Sequence, residues 1–155
     1  MKRTQSLVQL VVLATLVVGL SAPSPAQERA LPRKDVPQAV LAAFAQTYPK
    51  ATIRGYFQEI DRGQTVYKIE SLEGKTTRHL LYSADGKPIL AEESVSTSEL
   101  PAGVKAALDK KFPGGKILTS EKVTKGAVVG YEFQVEHGGR TAEIVFDPKG
   151  DELTL

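Results

Sequence analysis

Apolar positions along this chain switch between two periods, and the switch happens twice. Val36, Val40, Ala43, Phe44 and Tyr48 are spaced by 4, 3, 1 and 4 residues, and Leu100, Val104, Ala107, Leu108 and Phe112 keep the same spacing. That spacing draws one apolar stripe along a helix. Pro37 and Pro101 fall in the first turn, where a missing N–H costs nothing. Asp35 precedes one helix and Ser98-Glu99 the other, as capping or dipole-favoured residues. Pro49 and Pro113 stop them, because the residue before proline leaves the α region. The period then becomes two. Val129, Tyr131, Phe133 and Val135 alternate with Gly130, Glu132, Gln134 and Glu136, and Tyr67 and Ile69 alternate with Val66, Lys68 and Glu70. Alternation of this kind predicts strands with one face packed and one wet. Further strands are predicted over Thr52 to Glu59, Lys116 to Val123, around Leu80-Tyr82 and Ile144-Phe146, and short ones from Ile89 and Leu153.

The two halves keep a constant offset of 64 residues: Tyr48-Pro49 returns as Phe112-Pro113, Tyr67 as Tyr131, Leu80 as Ile144, Tyr82 as Phe146 and Gly86 as Gly150. Core and turn positions match while polar positions drift, as in two copies of one packing unit. The expected fold class is α+β, with two tandem α-β-β-β(β) repeats forming one antiparallel sheet of six to eight strands and both helices on one face. The expected division is a signal peptide at 1–26, a flexible leader at 27–34, repeat 1 at 35–90, a connector at 91–98 and repeat 2 at 99–155.

The first segment is an export signal by its pattern. Lys2 and Arg3 precede an apolar run from Leu7 to Leu20, and Ser24-Pro25-Ala26 supplies small residues for cleavage. Fourteen apolar-run residues fall short of the roughly 20 needed to span a bilayer. The expectation is a periplasmic or secreted protein with no stable membrane anchor after cleavage near Ala26. Cysteine is absent, which removes lipoprotein anchoring, disulfides, thiol catalysis and thiolate metal sites. The charge balance is 20 basic against 18 acidic residues, and without Lys2 and Arg3 it becomes 18 against 18. With no basic patch, nucleic acid is not an expected partner.

The helix opening Val36-Pro37 and closing Tyr48-Pro49, Tyr67-Lys68-Ile69, and Tyr82-Ser83-Ala84-Asp85-Gly86 form a recurring set. Its second copy is Leu100-Pro101 to Phe112-Pro113, Tyr131-Glu132-Phe133 and Phe146-Asp147-Pro148-Lys149-Gly150. This set resembles the PepSY-like family, related in fold to the β-lactamase-inhibitory protein. The resemblance implies an exported bacterial protein, related to domains that accompany peptidases, and a fold whose inhibitor relative docks its target on an open sheet face. That inhibitor carries a disulfide in each repeat, and this chain has none, so β-lactamase inhibition is not carried over.

Catalytic and metal motifs are scarce. No Gly-x-Ser-x-Gly elbow occurs, and the histidines are His79, on a predicted strand face, and His137, in a Gly-rich turn. Two separated histidines give no zinc spacing. Asp85-Gly86 reads as a hairpin rather than a calcium loop. Glu92-Glu93 point apart on an extended segment, and Pro113-Gly114-Gly115-Lys116 follows a helix instead of opening one. The expectation is a protein that is not an enzyme, with no cofactor and no metal. What remains is the wet face of the sheet. Strand parity puts Arg54, Tyr56, Val66, Lys68, His79, Leu81, Leu118, Glu132 and Val145 there. Apolar and aromatic residues beside an arginine have the composition of interface anchors. They form the candidate face for a protein partner such as an envelope hydrolase or peptidase. The alternative is an envelope sensor or small-ligand carrier with a cleft between helices and sheet.

Overall fold

The computed structural model describes residues 28–154, so the signal segment lies outside the described residues. Eight strands form one antiparallel sheet in chain order: β1 (Arg29–Ala30), β2 (Thr52–Asp61), β3 (Gln64–Glu73), β4 (Thr76–Ser83), β5 (Pro88–Ser94), β6 (Lys116–Lys125), β7 (Val128–His137) and β8 (Arg140–Phe146). Helix α1 (Gln38–Thr47) precedes β2, and helix α2 (Ala102–Lys111) precedes β6. Each helix begins immediately after its proline, whose carbonyl takes the first helical bond (Leu41 N to Pro37 O, 3.2 Å; Lys105 N to Pro101 O, 3.1 Å). Each ends at the aromatic residue before the second proline.

The apolar stripes pack where the periodicity says. Val40 and Phe44 of α1 cluster with Ile69, Leu80 and Tyr82, and Val104 and Leu108 of α2 cluster with Phe133, Val135, Ile144 and Phe146. Register links the two clusters. Ile69 lies opposite Leu80, Leu80 opposite Ala91 and Ala91 opposite Thr124, then Thr124 opposite Val129, two residues from Tyr131. Residues paired across strands share a face, so this chain of partners runs along one side of the sheet.

The hairpin glycines seat the helices as well as turning the chain. Gly86 (φ +83°) and Gly150 (φ +97°) adopt the left-handed conformation that glycine enters freely. A Cβ on Gly86 would lie 2.6 Å from the Ala39 carbonyl oxygen, and one on Gly150 would lie 2.4 Å from that of Gly103. The first turn of each helix therefore rests on the backbone of the hairpin 47 residues later in sequence (Ala39 to Gly86; Gly103 to Gly150).

Three expectations about the chain's course change. The 27–34 segment expected as a flexible leader contributes β1, with Arg29 opposite Gln58 and Ala30 opposite Phe57, and Leu31 is buried in the first core. Its apolar Leu31 beside the free edge of β2 gives it something to bury and something to bond. The 91–98 segment expected as a connector is largely strand: β5 pairs with β4 on one side and β6 on the other, making it the seam of the sheet. The short strand expected from Leu153 is reduced to a single bridge, Phe146 to Glu152, with Leu153 N donating to Val145 O at 2.9 Å.

Candidate functional site

The candidate site is the sheet face opposite the core residues. Pairing defines it in rows across the strands. One row runs Phe57, Lys68, Leu81, Leu90, and the next runs Glu70, His79, Glu92, Val123, Gly130. A third runs Ser94, Glu121, Glu132, Val145, and a fourth sets Gln134 against Glu143. The first row is apolar around one cation, and the later rows are acidic.

The cations on this face are committed. Lys68 bonds Glu28 and lies 3.5 Å from Glu59 and 3.4 Å from Glu70, with its ammonium 4.8 Å from the centre of the Phe57 ring. Burial works to lower the Lys68 pKa, but the carboxylates around it leave it raised overall. His79 Nδ1 lies 3.6 Å from Glu92, and that bond, aided by Glu70 and Glu121, raises the histidine above its usual value against the opposing effect of burial. Glu121, Glu132 and Glu143 have no ion-pair partner among the described residues. Glu121 and Glu132 sit directly opposite each other, an arrangement in which like charges destabilise a sheet. Burial, then Glu143, Glu92 and Glu121 in turn, push the Glu132 carboxyl up to about 7. Glu121 is raised too, by burial and by Glu92.

Two β-bulges rearrange the expected face. In β2 the register slips between Ile53 and Gly55, and in β6 between Ile117 and Thr119, 64 residues later. The extra residue inverts the side on which all following residues fall. Tyr56, expected on the open face, lies opposite Ile69 and packs on the first core. Phe57 takes the open-face place. Arg54 and Leu118 are the bulged residues themselves, both exposed, Leu118 at 43%. Lys68, His79, Leu81, Glu132 and Val145 share the open face as parity predicts, and Val66 joins them but is only 2% exposed. The residues missed were Phe57, Glu92 and Glu121. The glycine at position 55 inside an alternating run was the available sign of the bulge.

The core side of β4 carries its own polar cluster. Arg78 donates through Nε to Glu93 (2.5 Å) and through a terminal nitrogen to Glu73 (3.1 Å), and its guanidinium lies 4.9 Å from the centre of the Tyr48 ring. Beside it, a mainly apolar cleft of about 250 Å³ is bounded by Ala43, Tyr48, Leu80, Tyr82, Ile89 and Ala91. No group of three or more metal-ligating side chains converges among the described residues. His79 faces a carboxylate rather than a hydroxyl.

A family model described as "Putative beta-lactamase-inhibitor-like, PepSY-like" matches twice in succession, over residues 25–89 and 82–153. The chain belongs to the PepSY-like family. Among solved structures it is similar to a Bacteroides fragilis protein described as BLIP-like (20% identity, 80% of this chain and 85% of that one, TM-score 0.63). A "putative periplasmic" protein of Bacteroides eggerthii aligns at 21% identity over 77% of this chain and 86% of that one (TM-score 0.67). A DUF2874 family protein of Bacteroides uniformis aligns at 19% identity over 76% and 86% (TM-score 0.64). At these identities the likeness shows the fold. No curated protein matches the sequence. No helix among the described residues is long and apolar enough to cross a membrane.

Proposed function

We propose that this PepSY-like chain is an exported, non-catalytic protein-binding module of the cell envelope. In this reading it is a tandem repeat whose helices back one sheet face, and it engages its partner through the other. The pairing rows and the two core clusters support that arrangement. The periplasmic description of its structural neighbours and the export pattern of the first 26 residues support the location. The observation that carries the function is the unbalanced charge of the open face. Glu132 and Glu143 stand together without an ion-pair partner among the described residues, Glu121 beside them is offset only by His79, and apolar Val145 adjoins them, with Leu81 and Leu90 two rows away. A face meant only for water gains nothing from opposing carboxylates half withdrawn from solvent. A partner surface with Lys or Arg above apolar contacts would relieve the repulsion and desolvate the flank. The BLIP-like description of the B. fragilis protein agrees with a docking role.

The test is binding to envelope proteins by variants on each face. Leu81→Ala and Glu132→Lys are expected to lose the partner that the unaltered protein retains. Gln46→Ala, on the exposed side of α1, is expected to keep it. Equal retention by all three would refute the open-face reading. A second reading rests on the 250 Å³ cleft beside Tyr48, which suits a small apolar ligand. It predicts a thermal shift with such a ligand that Ala43→Phe abolishes.

A further inference from the structure

The outer edge of β8 differs from its counterpart in the first half in a way that points to a ligand. By the 64-residue offset, β8 corresponds to β4. The outer edge of β4 is covered by β5: Leu80 faces Ala91, His79 faces Glu92 and Arg78 faces Glu93, and Thr77 N–H reaches Ser94 Oγ at 2.9 Å. The bridge that begins this pairing, Tyr82 to Pro88, is reproduced as Phe146 to Glu152. Beyond it, Thr141 and Glu143 have no strand partner on their outer side among the described residues. Val145 directs its carbonyl outward, to Leu153 N–H. In an antiparallel strand every second residue directs both N–H and C=O to the same side, so Thr141 and Glu143 also present theirs outward.

The side chains around this edge define what would fit. Toward the core side, Ala142 stands where Arg78 fills the first half. The space between Ala142, Ile144, Phe112 and Lys111 belongs to an open groove of about 590 Å³. Lys111 is already tied to Glu152. Toward the open face, Glu143 replaces His79, and Glu132 adjoins it. The first half answers His79 with an acidic residue, Glu92. The second half calls for the opposite charge.

We propose that β8 is a docking edge for an extended peptide segment of a protein partner, added antiparallel as a ninth strand. Its residue opposite Glu143 is Lys or Arg, and its next residue, opposite Ala142, is large and apolar and fills the groove against Phe112. Main-chain bonds to Thr141 and Glu143 supply the pairing, and the alternating side chains supply the selectivity. A second copy of this chain is disfavoured as occupant. The open-face side of β8 is Thr141, Glu143 and Val145, so self-pairing brings glutamates together with no cation between them. This site shares Glu132 and Glu143 with the open-face reading but rests on the unpaired edge of β8 and its groove, and Thr141→Pro, which leaves Leu81, Glu132 and Glu143 untouched, separates the two.

The experiment is an amide NMR titration with acetyl-Ala-Lys-Phe-Lys-Val-amide and with its charge-reversed form, acetyl-Ala-Glu-Phe-Glu-Val-amide. The Lys peptide is expected to shift the Thr141 and Glu143 amides, slow their hydrogen exchange and bind about tenfold more tightly than the Glu peptide. Glu143→Lys is expected to invert that preference. Thr141→Pro removes one outward N–H and is expected to abolish binding of either peptide with the melting temperature nearly unchanged. If the proline variant fails to fold, the charge inversion still decides. No response from the β8 amides at millimolar peptide, or shifts confined to His79 and Glu92, would overturn the proposal. So would equal binding of both peptides, or a dimer of the protein whose interface maps to β8.

Discussion

Replacing Glu132 with glutamine tests the reading of the open face at its most strained point. The carboxylate lies opposite Glu121 and near Glu143 and Glu92, and its value is pushed from 4.5 to about 7. The folded protein therefore holds a proton there that the unfolded chain has already released. Stability attributable to this group is greatest below pH 4.5, falls as pH rises from 4.5 toward 7, and is level above that. Taken whole, that interval corresponds to ~3 kcal/mol. The side chain keeps contact with solvent, and discounting for screening leaves about 1–2 kcal/mol. Glu132→Gln should thus stabilise the protein by about that amount at pH 8 and by little at pH 4.5, raising the melting temperature at pH 8 by roughly 4–8 °C. His79 acts in the same direction. Its folded value lies above 6.5, so the stability from its bond to Glu92 is present below 6.5 and lost as pH rises through the folded value. His79→Gln is accordingly the control that separates the two. Urea unfolding at half-unit pH steps from 4 to 8.5 reads both. Identical pH slopes for the unaltered protein and Glu132→Gln would refute the carboxylate-stripe argument.

Three further outcomes follow from the packing. Gly150→Ala combines a φ of +97° with a Cβ 2.4 Å from the Gly103 carbonyl oxygen, so α2 must shift; a loss of about 2–3 kcal/mol is expected in chemical denaturation, and Gly63→Ala, strained but unobstructed, should lose about 1. Ser71 is 2% exposed and its hydroxyl has no bonding partner among the described residues, whereas the matching residue in the second half is Val135; Ser71→Val should stabilise by about 1 kcal/mol, read as a higher urea midpoint. Arg78→Met would leave Glu73 and Glu93 without their shared cation and remove the stack on Tyr48; a loss of about 1–2 kcal/mol is expected in urea unfolding at pH 7, partly recovered by Arg78→Lys, which keeps the charge, and an equal loss in both variants would count against the ion pairs.

The helices and the alternating strands were legible because each is a regular pattern set by burial. Val40, Phe44, Val104 and Leu108 sit where a 3.6-residue period requires, and Tyr67-Ile69 and Tyr131-Phe133 where a period of two requires. The face assignment failed at Tyr56 because periodicity has no memory across an inserted residue. One bulge after Ile53 moved Tyr56 into the core and Phe57 out of it. The leader was misread because its hydrophobic content is a single leucine, Leu31, whose value depends on a groove built by residues far along the chain. The acidic stripe was legible at Glu132 but not as a cluster, for a related reason. Glu92, Glu121, Glu132 and Glu143 come from four strands, and only the register of the seam between β5 and β6 assembles them.

The central claim, that the face carrying Leu81 and Glu132 receives a protein partner, is tested most directly by site-specific photocrosslinking in the envelope. A photoreactive phenylalanine analogue at Leu81 is expected to give a discrete adduct, and the same group at Gln46 none. Adducts from Gln46 alone, or none from Leu81 in cells where the protein is abundant and folded, would contradict it.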